Sequence, residues 1–280
     1  PALQDFGVVK EILPLYKGNR GSVDRFKREI MALDAVQSDY VVKPIDVIKM
    51  SEEEGDLGIV MKFVKGNDLQ EIVKRKFFDR EYLPEVDNFV AKKMVQVLFG
   101  VMDLHGGGLV HRDLKLANVI DTNNGVKVID LGIAGVQKGA ANTEELDMFT
   151  EDRTKDERTT GLAHLTPPNS PLGTPVYSSP ELLSATLPND PRVDLYSVGV
   201  MMYEILTGRY PIDYRKADSS DKSLQELLDE KIKGEIVAPN LFRNDREFSA
   251  LEPIIMRLLR PNPDERPQTA KKTAELMAGA

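Results

Sequence analysis

Eight consecutive residues, HRDLKLAN (111–118), and a DLG at 130–132 carry the side chains best suited to chemistry in this chain. Asp113 is a carboxylate able to take a proton from a hydroxyl, and Lys115 offers a point charge for phosphate oxygens. Asn118 enters the strand-like VIDT, and Asp130 stands where the strand-like GVKVID ends. The NNG between these stretches is turn chemistry. A hairpin there would bring Asn118 and Asp130 together as hard oxygen ligands for Mg²⁺, leaving its other positions to water and phosphate. A hard metal, a carboxylate base and a lysine are the parts phosphoryl transfer needs. Alone, the octapeptide could also be a solvated loop; its spacing to DLG favours a site.

The elements that must hold these residues can be read from periodicity. FGVVKEIL (6–13), YVVKPIDVI (40–48) and DLGIVMKFV (56–64) have the β-branched density of strands. SEEEGD (51–56) reads as a solvated turn. One helix interrupts them, with Val23, Phe26, Ile30 and Leu33 at helical spacing behind Ser22 as N-cap. Beyond KGND (65–68) the pattern is helical. LQEIVKRKFF sets Leu69, Ile72, Val73 and Phe77 on one face, and residues 86–105 do likewise through Val86, Val90, Met94, Val97, Val101 and Leu104. Gly106, Gly107 and Gly108 end that helix before a short strand at 109–110. VDLYSVGVMMYEILTG (193–208) is apolar nearly all round, which predicts a helix inside a core. Further helices are expected at 222–233, 250–259 and 268–278. A strand-rich front and a helix-rich remainder predict an α+β chain in two lobes. Residues 136–172 show no sustained period, and a connection that long is uncommon unless it serves a function.

Totals exclude several classes. With 280 residues, 41% hydrophobic and 29% charged, the composition is that of a globular protein of one large or two moderate domains. The net charge of −8 disfavours non-specific nucleic-acid binding. No apolar stretch approaches the ~20 residues that span a bilayer, and no secretory leader opens the chain, so a cytoplasmic setting is expected. Zero cysteines removes disulfides and thiolate metal sites.

HRDLKLAN followed by DLG resembles the catalytic loop and metal-binding motif of the protein kinases. GTPVYSSPELL (173–183) is similar to the end of that family's activation segment, DLYSVGVMMYEILTGRYPI (194–212) to its buried central helix, and PNPDERP (261–267) to its late arginine motif. LHGGGLVHRDLK, including His105, matches the usual lead-in to the loop. The resemblance covers nearly the whole chain and points to the bacterial, eukaryotic-like serine/threonine group. It implies a bilobal fold, with an N-lobe at 1–64 and a C-lobe at 65–280 holding a long activation segment at 130–181. It implies ATP and Mg²⁺ as cofactors and a protein substrate. Asp113 would orient and deprotonate the hydroxyl, Lys115 would steady the phosphoryl group, and Asn118 and Asp130 would hold Mg²⁺. Thr174 would pack against Asp113 and Lys115, Asp194 would brace the loop backbone, and Arg266 would pair with Glu181. Lys10 resembles the phosphate-binding lysine and Glu29 its helix partner. IVMKFVKGNDL (59–69) looks like the family's hinge, with Met61 beside the adenine, the Lys62 carbonyl and Val64 amide on its edge, and Asp68 at the ribose. Leu116 stands where the family often has proline.

One part of the pattern is absent. The family covers the ATP phosphates with a Gly-rich hairpin before the lysine strand, and PALQDFGVV, which precedes Lys10, has one glycine. KGNRGS (17–22) lies on the wrong side of Lys10 and reads as a loop. A fragment, an evolutionary loss, or a partner or upstream segment completing the N-lobe would each explain this. Without that lid, ATP binding should be weak and transfer slow. Arg112 is the residue type that pairs with an activating phosphate, and Thr159, Thr160, Thr166 and Ser170 are candidate acceptors, Thr166 foremost. Two other functions stay open: a kinase-fold scaffold acting through protein binding, and a small-molecule phosphotransferase.

Overall fold

The computed structural model describes residues 7–11, 27, 30–51, 57–78, 86–130, 135–136, 175–187, 189–214, 222–242 and 249–279. Strands β1 (Gly7–Glu11), β2 (Pro44–Lys49) and β3 (Leu57–Lys62) form an antiparallel sheet in the order β1-β3-β2. The register sets Val8 opposite Met61 and Lys10 opposite Ile59. A helix, α1, connects β1 to β2, and its described residues are 27 and 30–35. Ile30 and Leu33 bury the face their spacing predicts, whereas Ser22, Val23 and Phe26 lie outside the described residues.

The expected strand at 40–48 divides in two. Residues 44–49 join the sheet, but Val41 bridges Val128 in parallel, and Val42 N–H donates to the Val128 carbonyl at 3.0 Å. The apolar run is therefore shared between the lobes. Its first half pairs with a strand of the large lobe, because a run of β-branched residues favours extended backbone without naming the partner strand.

The large lobe begins with β4 (Asn67–Asp68) and α2 (Leu69–Phe78). Helix α3 (Val86–Gly106) buries Val90, Met94, Val97, Val101 and Leu104 of the stripe that its spacing marks out, while Val86 at its start is half-buried. Beyond it come β5 (Leu109–Val110), β6 (Val119–Thr122) and β7 (Gly125–Val128), with a 3₁₀ turn at Leu116–Asn118 before β6. Strands β4, β6 and β7 form one small sheet, and β5 pairs with β8 (Gly135–Val136). Gly66 is required where the chain crosses between lobes, since a Cβ there would lie 2.2 Å from the Asp121 carbonyl oxygen.

Helices α4 (Pro180–Leu183), α5 (Arg192–Thr207), α6 (Leu224–Lys233), α7 (Glu252–Leu258) and α8 (Ala270–Ala278) complete the lobe. Every residue of α5 from Val193 to Leu206 is buried, as expected of a helix apolar on all sides. Each large apolar side chain so buried contributes about 1.5–3 kcal/mol. Gly208 (φ 68°) closes α5 in the left-handed conformation. Helix α6 opens on a capping box of Ser223 and Glu226. The main core runs from α3 through α5 to α7 and α8, and takes in Leu33, Val36 and Val41 from the small-lobe side. No helix among the described residues is long and apolar enough to cross a membrane.

Candidate active site

The loop after β5 is anchored from beneath by one buried carboxylate. Asp194, in the first turn of α5, is inaccessible to solvent. It accepts the His111 N–H (2.9 Å), the Arg112 N–H (2.8 Å) and His105 Nε2 (2.8 Å). Burial pushes its carboxyl upward, but the hydrogen bonds from His105 and from the His111 backbone outweigh it and hold Asp194 below its usual range. The backbone of the loop is thus bound to the most deeply buried helix of the molecule, in the bracing role expected for Asp194.

His111 ties the two halves of the site together. Its Nδ1 accepts the Asp113 N–H at 3.3 Å and its Nε2 lies 3.2 Å from the Ile129 carbonyl, so the proton resides on Nε2. Burial lowers its pKa against the raising influence of Asp194 and Asp113, keeping the ring neutral. Arg112 (φ 64°) and Asp130 (φ 57°) occupy the left-handed region, which non-glycine residues seldom adopt. Such backbone strain gathers where the surrounding structure fixes side-chain direction for function.

Asp113 is held at one oxygen and open at the other. Its Oδ2 accepts Lys115 Nζ (2.8 Å) and Asn118 Nδ2 (3.1 Å), and its carbonyl accepts Asn118 Nδ2 at 2.8 Å. Its Oδ1 is buried without a hydrogen-bond partner among the described residues. Leaving a buried acceptor unsatisfied costs about 1–3 kcal/mol, so its retention calls for a reason other than stability.

Asn118 reaches this position from the 3₁₀ turn, and the β6–β7 hairpin brings Asp130 alongside it. Ile129 N–H donates to the Asn118 carbonyl (2.9 Å), and Val119 pairs with Val128. Because Asn118 Nδ2 is committed to Asp113, its side-chain oxygen is the atom left to face a cation. With the Asp130 carboxylate this makes a hard oxygen pair, the donor type that suits Mg²⁺. Lys10 Nζ, arriving from β1, pairs with Asp130 Oδ1. A lysine, two carboxylates and an amide from both lobes therefore converge.

The remaining expected residues divide. Met61 sits on β3 across from Val8, and Lys62 pairs with Gly7. Among the described residues, the backbone of 63–65 makes no hydrogen bond to other backbone. Asp68 Oδ1 accepts the Glu71 N–H at 2.7 Å, which commits one of its oxygens to capping α2. Glu29, Thr174, Thr159, Thr160, Thr166 and Ser170 lie outside the described residues.

Residues 175–179 form a buried floor beside the site. Val176 and Tyr177 are 2% and 3% exposed. Lys231 Nζ donates to the Val176 carbonyl (2.8 Å), Ser197 Oγ donates to the Tyr177 carbonyl (3.0 Å), and the Tyr177 hydroxyl donates to Glu204. Burial lowers Lys231 to about 7 and raises Glu204 to about 7. The expected Arg266–Glu181 pair closes below as a two-pronged fork at 2.6 and 2.9 Å, with both side chains buried. Sequence reasoning missed Lys231 and Glu204. Lys231 lies four residues after the buried Leu227 in α6, and that spacing on the apolar face was the available signal.

A protein kinase domain model matches residues 4–276. The chain is 33% identical over 278 residues to "Serine/threonine-protein kinase pkn3" of Myxococcus xanthus, covering 97% of this chain and 44% of that protein. It is 32% identical over 273 residues to a "Probable serine/threonine-protein kinase" of Clostridium perfringens, covering 96% of this chain and 34% of that protein. A "CBL-interacting serine/threonine-protein kinase" of Arabidopsis thaliana is 28% identical over 248 residues, covering 88% and 46%. The chain thus spans less than half the length of these relatives. With the bilobal fold, the anchored loop and the converging carboxylates in place, the chain belongs to the protein kinase family, as a catalytic domain of the serine/threonine type.

Proposed function

We propose that this domain transfers the γ-phosphoryl group of ATP to a serine or threonine hydroxyl of a protein. The observation that carries the reading is the asymmetry of Asp113, with one oxygen held by Lys115 and Asn118 and the other left open. The open Oδ1 accepts the hydroxyl proton as the substrate oxygen bonds to the γ-phosphorus and the bond from phosphorus to the β–γ bridging oxygen breaks, leaving ADP. Lys115 offsets charge on the transferring group, and Lys10 pairs with phosphate oxygens. Asn118 and Asp130 would hold Mg²⁺, which when bound supplies positive charge against the phosphates. Glu29 is proposed to orient Lys10, and Thr174 to pack against Asp113 and Lys115.

In the same reading, Met61 flanks the adenine while the Lys62 carbonyl and Val64 amide bind its edge. Asp68 reaches the ribose with the oxygen not used in capping. The lobes divide at 64/65, and the 130–181 segment is the regulatory element, with Thr166 as acceptor and Arg112 as its phosphate partner. The alternative is a kinase-fold scaffold that binds proteins without productive nucleotide.

Phosphate transfer to a generic protein substrate, and autophosphorylation, should be compared for residues 1–280 and for Asp113→Asn. The expected result is a loss of about 10²–10⁴-fold, with folding intact. Equal rates in the two proteins would remove the enzyme reading in favour of the scaffold. Expressed alone, residues 1–280 should bind ATP weakly, with a dissociation constant near or above about 1 mM. Tight, fast Mg-ATP turnover by that polypeptide would contradict the weak-binding proposal.

A further inference from the structure

Beside the segment joining the lobes lies a cavity of about 600 Å³ whose lining shares Lys62 and Val64 with the proposed adenine edge but includes none of Lys10, Asp113, Lys115, Asn118 or Asp130. Its walls come from three separate stretches: residues 41–45 entering β2, residues 62–65, and the β6–β7 hairpin at Thr122, Asn124 and Lys127. Four lysines line it, Lys43, Lys62, Lys65 and Lys127. None has a carboxylate within ion-pair distance among the described residues. Lys43 Nζ donates to Gln37 Oε1 at 3.2 Å and Lys127 Nζ to the Asp39 carbonyl, both neutral oxygens. The carboxylate adjoining the hairpin wall, Asp121, is already paired with Lys93.

In a chain with 45 acidic and 37 basic residues, this gathering of uncompensated lysines runs against the overall balance. Apolar surface lies among them. Ile45 is 62% exposed and Phe63 40% exposed, and Val42 and Val64 also line the cavity. Strand β2, on one wall, is an edge of the sheet formed by the described residues, the kind of edge an extended partner can extend. The walls are held in place by the close approach of Gly66 to Asp121 and by the Val42–Val128 hydrogen bond.

We propose that this cavity docks an acidic, extended segment of the domain's protein substrates, with carboxylates meeting the lysines and an apolar side chain entering between Ile45 and Phe63. Charge complementarity selects this occupant. Lysines on separate stretches of backbone match carboxylates spread along a peptide better than they match one compact anion, which wants convergent donors. The net charge of −8 opposes nucleic acid elsewhere on the surface. Docking outside the residues around Asp113 raises the local concentration of the acceptor hydroxyl without occupying them. The inference rests on the kinase reading for this consequence, but the binding itself does not.

The test uses the full 280-residue chain carrying Asp113→Asn and a fluorescent synthetic peptide of about ten Glu, Leu and Phe residues. Binding should be saturable and should weaken about tenfold in Lys65→Glu/Lys127→Glu, and also on raising salt from about 0.05 to 0.3 M. Lys65→Gln, a milder exposed change, should weaken it about two- to threefold. An affinity unchanged in both variants would overturn the proposal, as would no binding at about 1 mM peptide. Displacement by millimolar inorganic phosphate would assign a small-anion site instead. Tighter binding of a single-stranded DNA oligonucleotide would assign nucleic acid. In the chain with Asp113 intact, Lys65→Glu/Lys127→Glu should slow phosphorylation of a substrate bearing the acidic extension about tenfold and leave the unextended substrate unchanged. An equal slowing of both would refute the docking role. If neither substrate is phosphorylated by the parent chain, the kinase reading fails while the binding measurement still decides the site.

Discussion

The two lobes meet at the same site but hold their residues by different means. In the large lobe, His105, His111, Glu181, Asp194, Glu204, Lys231 and Arg266 are polar groups pressed into or against the core, each with an identified partner. In the small lobe, the apolar residues Val8, Val9, Ile45 and Val47 of a three-stranded sheet are 39–62% exposed. The large lobe therefore holds the loop that carries Asp113 through low-dielectric, geometrically exacting contacts. The small lobe presents Lys10 on a strand at the edge of the sheet that the described residues form. The difference predicts that substitutions in the large lobe change stability strongly, while those in the small lobe change ligand contacts and leave the fold almost untouched.

The comparison would be broken most severely at the fork of Arg266 with Glu181. Arg266→Ala leaves Glu181 buried without its partner and should destabilise the chain by about 3–5 kcal/mol in urea unfolding. A cost under about 1 kcal/mol would mean that this pair does not anchor the lobe.

Glu204 sharpens the comparison through pH. Burial raises its carboxyl to about 7, above the 4.5 expected when unfolded. The folded state therefore binds the extra proton between those values, and this contribution is lost as pH rises through about 7. Relative to the parent, Glu204→Gln should gain roughly 3 kcal/mol between pH 4.5 and 8, read from the difference in unfolding free energies. Lys231 has the opposite sign, since its folded pKa of about 7 lies below the unfolded 10.5. The unfolded chain binds the extra proton between those values, so stability rises with pH from about 7 to 10.5. Lys231→Met should flatten that rise.

The smallest effect is expected on the exposed sheet. Val9→Thr should change stability by less than about 0.5 kcal/mol, because the side chain is 44% exposed. A cost above about 2 kcal/mol would show that the exposed face is covered in solution, and the contrast between the lobes would then collapse.

Much of this division was legible beforehand, for reasons particular to each element. Helix α5 announced its burial because apolar residues on every side leave a helix no polar face to give to water. Asp113, Asn118 and Asp130 could be joined in advance because a hairpin imposes its own register. The pairing of Val119 with Val128 places the two ends of the motif together from local rules alone. The fork of Arg266 with Glu181 was readable only through resemblance, since no local rule connects residues so far apart in the chain.

What the sequence determined by itself was therefore local: strands, helix faces, the β6–β7 hairpin, and the residue types able to transfer a phosphoryl group. Tertiary structure decided partners. It split the run at 40–48 between two lobes and made Asp68 a helix cap. It set Lys10 against Asp130 and Lys231 beneath the Val176 carbonyl. It also assembled four lysines from three stretches of backbone around one cavity. The physical reason is that periodicity encodes which face of an element is buried, whereas the identity of the group on the other side depends on how distant elements pack.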